Sequence, residues 1–317
     1  MEDFAMKNVL ILGGYGFLGT NIMKYVDANL QGEYRFIVFD KFSRHQGGVV
    51  VNCLAEKSYA GDFSDTQLIE SIFQENHIDM VLHALSTTVP VDSANARYDI
   101  ESNLLPTIDV LALMVKYDVK DIVYISSGGA VYGTRDNKPH LESDSVYPIS
   151  SYGVVKVATE KYMMQYAQLY GLRPLILRLS NPYGPYHYSM KQGVINIAIE
   201  KALRKEPLQI WGDGEGKKDY IYVEDFVEIL FKLLAKGVHS EVLNVASGQL
   251  LSVNKIAETT RKLVPNFVAN HSAAQQSDAS HFELNTDKLL NLIGDYQFTP
   301  FEDGLQKTYY WTLSKCN

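Results

Sequence analysis

Tyr152 and Lys156 stand four residues apart in a stretch whose pattern predicts a helix, so a phenol and an ammonium share one face. A cation beside a phenol stabilises the phenolate, and a group with an ordinary pKa of about 10 can then act as a base nearer neutral pH. Upstream, a predicted strand ends in Ser126 and Ser127, which brings a hydroxyl into the same neighbourhood. The spacing alone is weak evidence: with 21 tyrosines in the chain it recurs by chance, and a solvated helix face would show it too.

A second cluster precedes it. Gly13, Gly16 and Gly19 fall between a predicted strand, Asn8 to Leu12, and a helix beginning at Phe17. Glycines let the backbone approach a pyrophosphate, and the helix N-terminus adds N–H donors and a favourable dipole. Asp40 closes the second strand, where a carboxylate can accept hydrogen bonds from an adenosine ribose. It would repel the extra phosphate of NADP, so NAD is favoured; Lys41 and Arg44 nearby keep NADP as the minority reading. Asp62 follows the third strand and has two readings, a contact to the adenine amino group or a cap on the next helix.

The elements that must position these groups alternate. Strands are expected at 34–40, ending near 62, at 79–85, 121–127 and 173–179, with helices at 17–30, 67–76, 100–117 and 151–170 between them. Apolar strands separated by helices predict an α/β fold, a Rossmann-type doubly wound parallel sheet. Beyond residue 180 the pattern changes. A turn at 181–185 precedes a helix at 192–204, a strand at 208–211, a helix at 226–235, a strand at 242–247 and a helix at 253–263, with 269–280 expected as polar loop. The division is a nucleotide-binding domain over 1–180 and a smaller C-terminal substrate lobe over 181–317, with a segment of about 219–247 returning to the first.

Composition narrows the function classes. The net charge is −8 and there is no basic run, so neither nucleic acid nor an anionic membrane surface is an expected partner. Cys53 and Cys316 form no motif, and the eight histidines show no metal-ligand spacing. No apolar run approaches the roughly 18 residues of a membrane span and no signal peptide is read, so the cytoplasm is the expected compartment.

Taken jointly, these motifs resemble the extended short-chain dehydrogenase/reductase superfamily, in particular its NAD-dependent nucleotide-sugar epimerases and dehydratases. The resemblance spans nearly the whole chain. It rests on Gly13/Gly16/Gly19, Gly61-Asp62, Leu82-His83-Ala84, Asn103, the segment from Ser126 to Gly133, Tyr152/Lys156, the segment from Arg178 to Pro185, Trp211 to Gly214, and Asp219 to Val223. It implies an NAD site of Gly13, Gly16, Phe17, Leu18, Gly19, Asp40, Lys41, Asp62, Phe63, Ala84, Leu85, Ser86 and Asn103, completed by Tyr152 and Lys156. It implies Tyr152 as catalytic base with Lys156 and Ser127, and Thr87, Ser127, Tyr152, Asn181, Lys218 and Gln275 against the substrate. In such enzymes the lysine binds the nicotinamide ribose and, with the NAD⁺ charge, lowers the tyrosine pKa.

The implied reaction inverts C4 of a UDP-hexose or its N-acetyl form through a transient 4-keto sugar. The family's Ser or Thr, four residues before the tyrosine of the Val-Tyr-Gly segment, falls on Gly128, leaving Ser127 as the nearest substitute. Strand alternation would point Ser127 elsewhere unless the chain bends there. Lys218 and Gln275 stand where phosphate-binding arginines are typical. Gly129 and Ala130 replace the Asp-Glu of dehydratases, which argues against dehydration; a reductase and a non-catalytic NAD-binding regulator remain as alternatives. A homodimer is implied, formed through the 100–117 and 151–170 helices.

Overall fold

The apolar runs at 7–12, 34–40, 80–83, 121–127 and 173–179 have no polar alternation because both faces of each are covered. In the computed structural model, which describes residues 6–41, 54–89, 95–133, 138–273 and 281–315, they become β1 (Lys7–Leu12), β2 (Tyr34–Asp40), β4 (Met80–His83), β5 (Asp121–Ser127) and β6 (Arg173–Leu179). β3 (Lys57–Ala60) and β10 (Glu241–Val245) complete a seven-stranded sheet in the order β10-β6-β5-β4-β1-β2-β3, every neighbour parallel. This is the doubly wound order, and strand order reverses between β1 and β4, where such sheets open a crevice for ligands.

Helices α1 (Phe17–Asn29), α2 (Thr66–Glu75), α4 (Leu105–Lys116) and α6 (Ser151–Tyr170) link these strands. Two apolar clusters cover the sheet. One joins Val9, Ile11, Ile22 and Leu177 to Phe226 and Leu230; the other joins Leu10, Leu12, Phe39 and Val81 to Val110 and Met114. α6 is bounded as its sequence dictates. The Ser150 side chain accepts from the Gly153 N–H at 3.1 Å, and Gly171 ends the helix in the left-handed region at φ 70°. The expected 100–117 helix begins earlier. α3 (Ala96–Asp99), a π-helical turn (Ile100–Leu104) and α4 run on with helical backbone, and the π turn carries Asn103. A short helix, α5 (Gly128–Val131), follows β5 directly.

The C-terminal part departs further from expectation. Residues 181–183 are a strand, β7 (Asn181–Tyr183), parallel to β9 (Lys217–Tyr222), rather than part of a turn. Pro182 is tolerated because β7 pairs on one side only, and the turn comes next, with Gly184 and Tyr186 at positive φ. Residues 269–272 form β12 (Ala269–Ser272), parallel to β8 (Leu208–Trp211), instead of loop. A strand in a two-stranded sheet buries little, so its sequence shows no apolar alternation. α7 (Val194–Leu203) starts two residues late because Gly193 sits at φ 85°, and α8 (Val223–Ala235) starts early with Glu224 and Asp225 in its first turn. β11 (Leu250–Ser252), α9 (Val253–Leu263), β13 (His281–Phe282), α10 (Asp287–Ile293) and α11 (Phe301–Ser314) complete the chain. β9 carries β7, β11 and β13 as neighbours, and a separate apolar cluster of Ile195, Ile199, Tyr220, Tyr222, Ile256 and Leu305 fills this lobe.

Candidate functional site

The β1–α1 turn is built by close contacts only glycine permits. Gly13 has φ 81°, and a Cβ there would lie 2.9 Å from Leu85 Cα; at Gly19 it would lie 2.5 Å from the Gly13 carbonyl oxygen. The turn is thus pressed against the chain leaving β4 at Ala84 and Leu85, and α1 against the turn. Gly16 caps α1 without a side-chain bond, and the first turn of α1 holds no acidic residue. Its N–H donors therefore face no competing carboxylate, as a pyrophosphate requires. Asp40, at the end of β2, accepts from the Tyr15 N–H at 2.9 Å and the Lys41 N–H at 2.7 Å. A carboxylate fixed beside the glycine turn fits the ribose of NAD. Lys41 reaches Asp62 at 2.9 Å, and Asp62 also accepts from the Ser64 N–H and hydroxyl. These bonds hold the Asp62 carboxyl down at about 2. Asp62 is not the helix cap; Asp65 takes that place, accepting from the Leu68 N–H at 3.0 Å.

Other residues of the expected NAD set lie around this turn in different ways. Phe17 meets the buried His187 edge-on at 4.8 Å between ring centroids, and Leu18 packs on the sheet core. Phe63 is itself core, against Phe39 and His83, so only its backbone is available to a ligand. The Ser86 hydroxyl donates to the Thr88 carbonyl at 2.8 Å. Asn103 and Thr87 hold each other: the Thr87 N–H donates to Asn103 Oδ1 at 2.8 Å, and Asn103 Nδ2 donates to Thr87 Oγ1 at 2.7 Å. Thr87 Oγ1 also meets the Ser102 hydroxyl at 2.7 Å. The Thr87 side chain, expected against the sugar, is therefore engaged with the π turn.

Tyr152 and Lys156 open into a narrow cavity with His83, Ser86, Thr88 and Asn103, on the β4 side of the crevice. Lys156 is 6% exposed, donates to the Ile125 carbonyl at 2.9 Å and lies 4.7 Å over the Tyr124 ring and 5.6 Å over that of Tyr152. Burial pulls its ammonium down to about 8, and Glu160, one turn further along α6, pulls back upward. At pH 7 it is mostly charged. Part of the Tyr152 side chain is open to solvent, but its phenol end is crowded by protein. This crowding pushes it up to about 12, and a hydrogen bond from Ser127 opposes the shift. The sequence predicts a phenol lowered by its neighbouring cation; in the structure burial raises it, and the Lys156 ammonium is lodged on Ile125 and Tyr124.

Ser127 does reach Tyr152. Ser126 instead donates to the buried Glu160, so the two adjacent hydroxyls serve different partners. The bend that allows this is the passage from β5 into α5 at Gly128. His83 is buried and held neutral, driven down to about 3 by burial and by the Lys156 charge. Its Nε2 lies 2.9 Å from Thr107 Oγ1. Since that hydroxyl donates to the Asn103 carbonyl, the His83 ring nitrogen is the donor to it.

Tyr124 and Glu160 do not stand out from sequence alone, and Arg178 enters there only as the start of the 178–185 motif. Glu160 extends the Tyr152/Lys156 spacing by another four residues, a signal that was available. Arg178 donates to Glu160 at 2.7 Å and to the Tyr132 hydroxyl at 2.8 Å, all three buried.

The expected substrate residues are less gathered. Asn181 Nδ2 donates to the Asp219 carbonyl at 2.7 Å, tying β7 to β9. Asp219 is fully buried, is pushed up to about 6 by burial, and accepts from the Ser247 and Gly248 N–H groups. Lys218 sits half-buried on β9, in register with Leu251 and Phe282. Gln275, like Arg44, lies outside the described residues. Trp211 is 48% exposed and so is not core, whereas Tyr183 is buried in the lobe. A larger cleft of about 440 Å³ between α9, β8 and β12 mixes Arg261 and His271 with Glu215 and Glu258. Among the described residues no three His, Cys, Asp or Glu side chains come together to hold a metal, and no helix is long and apolar enough to cross a membrane.

Comparison with known proteins agrees with this geometry. Residues 9–246 match the model of the NAD dependent epimerase/dehydratase family. A Methanocaldococcus jannaschii protein provisionally named UDP-glucose 4-epimerase is 36% identical over 78% of this chain and 79% of its own length. An Escherichia coli dTDP-4-dehydro-6-deoxyglucose reductase is 30% identical over 96% of this chain and 97% of its own. The crystal structure of Thermotoga maritima UDP-glucose 4-epimerase with UDP-glucose superposes with a TM-score of 0.90 at 29% identity, over 98% of this chain and all of that one. The chain belongs to the NAD dependent epimerase/dehydratase family, and NAD is its cofactor.

Proposed function

We propose that this enzyme inverts C4 of a nucleotide sugar, UDP-glucose/UDP-galactose or their N-acetyl forms, with Tyr152 as the base. The observation that carries the reading is Tyr152 beside a buried Lys156, lining one cavity with His83, Ser86 and Asn103 at the crevice between β1 and β4, with Ser127 as a hydrogen-bonding neighbour of the phenol. Bound NAD supplies the hydride acceptor and donor and, when oxidised, a positive charge that favours a phenolate. The chain's own residues do the rest. Gly13, Gly16 and Gly19 open the backbone to the pyrophosphate, and Asp40 holds the adenosine ribose. Tyr152 takes the proton of the C4 hydroxyl, directly or through Ser127, while the C4 hydride would pass to the bound cofactor; once the 4-keto sugar has turned over and its opposite face of C4 has taken the hydride back, Tyr152 returns the proton to the C4 oxygen. Lys156 orients the nicotinamide ribose and holds positive charge near the phenol. Lys218 pairs with the diphosphate as a point charge. Gly129 and Ala130 offer no acid or base for removal of water, which supports epimerisation over dehydration.

The test is turnover. Purified protein incubated with UDP-glucose, UDP-galactose and their N-acetyl forms should interconvert at least one pair; conversion of none would refute the reading. The similarity to an E. coli dTDP-4-dehydro-6-deoxyglucose reductase favours one alternative, reduction of a 4-keto nucleotide sugar. That reading predicts consumption of NADH by a 4-keto sugar nucleotide and no interconversion. We also propose a homodimer. Leu105, Val154 and Leu169 are 49%, 51% and 61% exposed on α4 and α6, an apolar surface suited to a second copy.

A further inference from the structure

Resting on the proposed Ser127–Tyr152 pairing, the structure explains how the serine comes to face the tyrosine. Ser127 is the last residue of β5, with extended backbone at φ −134° and ψ 112°, and Gly128 opens α5. A Cβ at Gly128 would lie 2.6 Å from Leu284 Cδ1 and 3.1 Å from Cδ2. Leu284 has little freedom to retreat. It is 3% exposed in a cluster with Val131, Tyr132, Ala246 and Phe282. Its backbone is pinned on both sides: the His140 N–H donates to the Glu283 carbonyl at 3.0 Å, and the Asn285 N–H donates to the His140 carbonyl at 2.9 Å.

The opposite side of α5 is equally tight. A Cβ at Gly153, the residue after Tyr152, would lie 2.3 Å from the Ala130 carbonyl oxygen. The short helix is thus clamped between Leu284, from the C-terminal segment, and the first turn of α6, which carries Tyr152. Ser127 enters that clamp one residue ahead of Gly128. We propose that Leu284 is a positioning residue of the active site: seated on Gly128, it fixes the exit from β5 so that the Ser127 hydroxyl is held on Tyr152.

The inference is tested with Gly128→Ala, Leu284→Ala and the double variant, each as the NAD-loaded protein, beside Ser127→Ala. The added methyl of Gly128→Ala must displace the turn or Leu284. In a crystal structure the Ser127 hydroxyl should then lose contact with Tyr152, and in the double variant it should regain it. With UDP-glucose as substrate, kcat of Gly128→Ala should fall roughly tenfold or more with KM little changed, as for a misplaced catalytic contact. The double variant should return to within about threefold of wild type.

The limb of the kcat–pH profile set by Tyr152 should move to higher pH in Gly128→Ala and back in the double variant, because a donated hydrogen bond favours the phenolate. Tyr152 is faced by Lys156 on its own helix and by Ser127 and Tyr124 on β5, with His83 of β4 acting on Lys156. None of these is altered by the variants. If Gly128→Ala does not fold, Leu284→Ala alone decides: it should break the Ser127–Tyr152 contact in crystals, and an unchanged contact overturns the proposal. An unchanged contact and rate in Gly128→Ala, or a folded double variant with no recovery, also overturns it. Failure of the underlying functional reading looks different: wild-type protein would then convert none of the nucleotide sugars, while the Ser127–Tyr152 contact in crystals of the variants would still report on Leu284.

Discussion

Replacing Glu160 with Gln should destabilise the fold far more than its near-identical shape suggests. The Glu160 and Arg178 side chains are 3% and 6% exposed, and their closest contact is 2.7 Å. Arg178 makes three hydrogen bonds to the carboxylate, and Ser126 donates to it as well. The amide of Gln keeps the volume and one acceptor but removes the charge and turns a donor toward Arg178. Arg178 is then a buried guanidinium whose remaining partners, the Tyr132 hydroxyl and the Glu142 carbonyl, are neutral. Breaking a buried pair from one side costs about 3–5 kcal/mol, because the partner charge stays desolvated and uncompensated. Urea denaturation of Glu160→Gln against wild type, with matched m-values, measures this loss. Glu160→Leu combined with Arg178→Met should recover most of it, since removing both charges removes the desolvation cost. A Glu160→Gln loss below about 1 kcal/mol would refute the reasoning, as would a double variant no better than the single.

Ser127→Ala should lower kcat at least tenfold while NAD remains bound, as expected for loss of one positioned proton-transfer partner; a wild-type rate would show that the proton bypasses Ser127. His83 has a folded pKa of about 3 against an ordinary 6.5, so the unfolded chain binds more protons between those values and stability falls as pH drops from 6.5 toward 3. The His83 part of that fall is several kcal/mol at its limit and should be absent in His83→Gln, measured as midpoint against pH. Leu169→Glu with Val154→Glu should convert a sedimenting dimer to a monomer; a wild type that sediments as a monomer at high concentration contradicts the dimer.

Where burial writes an unmistakable pattern, the sequence was sufficient. β2, β5, α6 and β6 fall on their expected residues because continuous apolar runs, the Ser150 cap and the Gly171 stop are local signals. The glycine turn and Asp40 were legible for the same reason. β7 and β12 were missed because they are held by backbone pairing, which has no residue signature. Ser127 shows the limit most clearly. Counting and alternation left its direction open, since that direction depends on Leu284 and Ala130, contacts 157 and 3 residues away in the chain. The rise of the Tyr152 pKa was hidden likewise, because spacing reveals a neighbouring cation but not how deeply the phenol is buried.

The claim that Tyr152 serves C4 redox chemistry on a nucleotide sugar is tested most directly with UDP-glucose deuterated at C4. Wild-type protein should form UDP-galactose that retains deuterium at C4, and Tyr152→Phe should keep its NAD and form none. Label lost to solvent, product formed without change at C4, or undiminished turnover by Tyr152→Phe would contradict it.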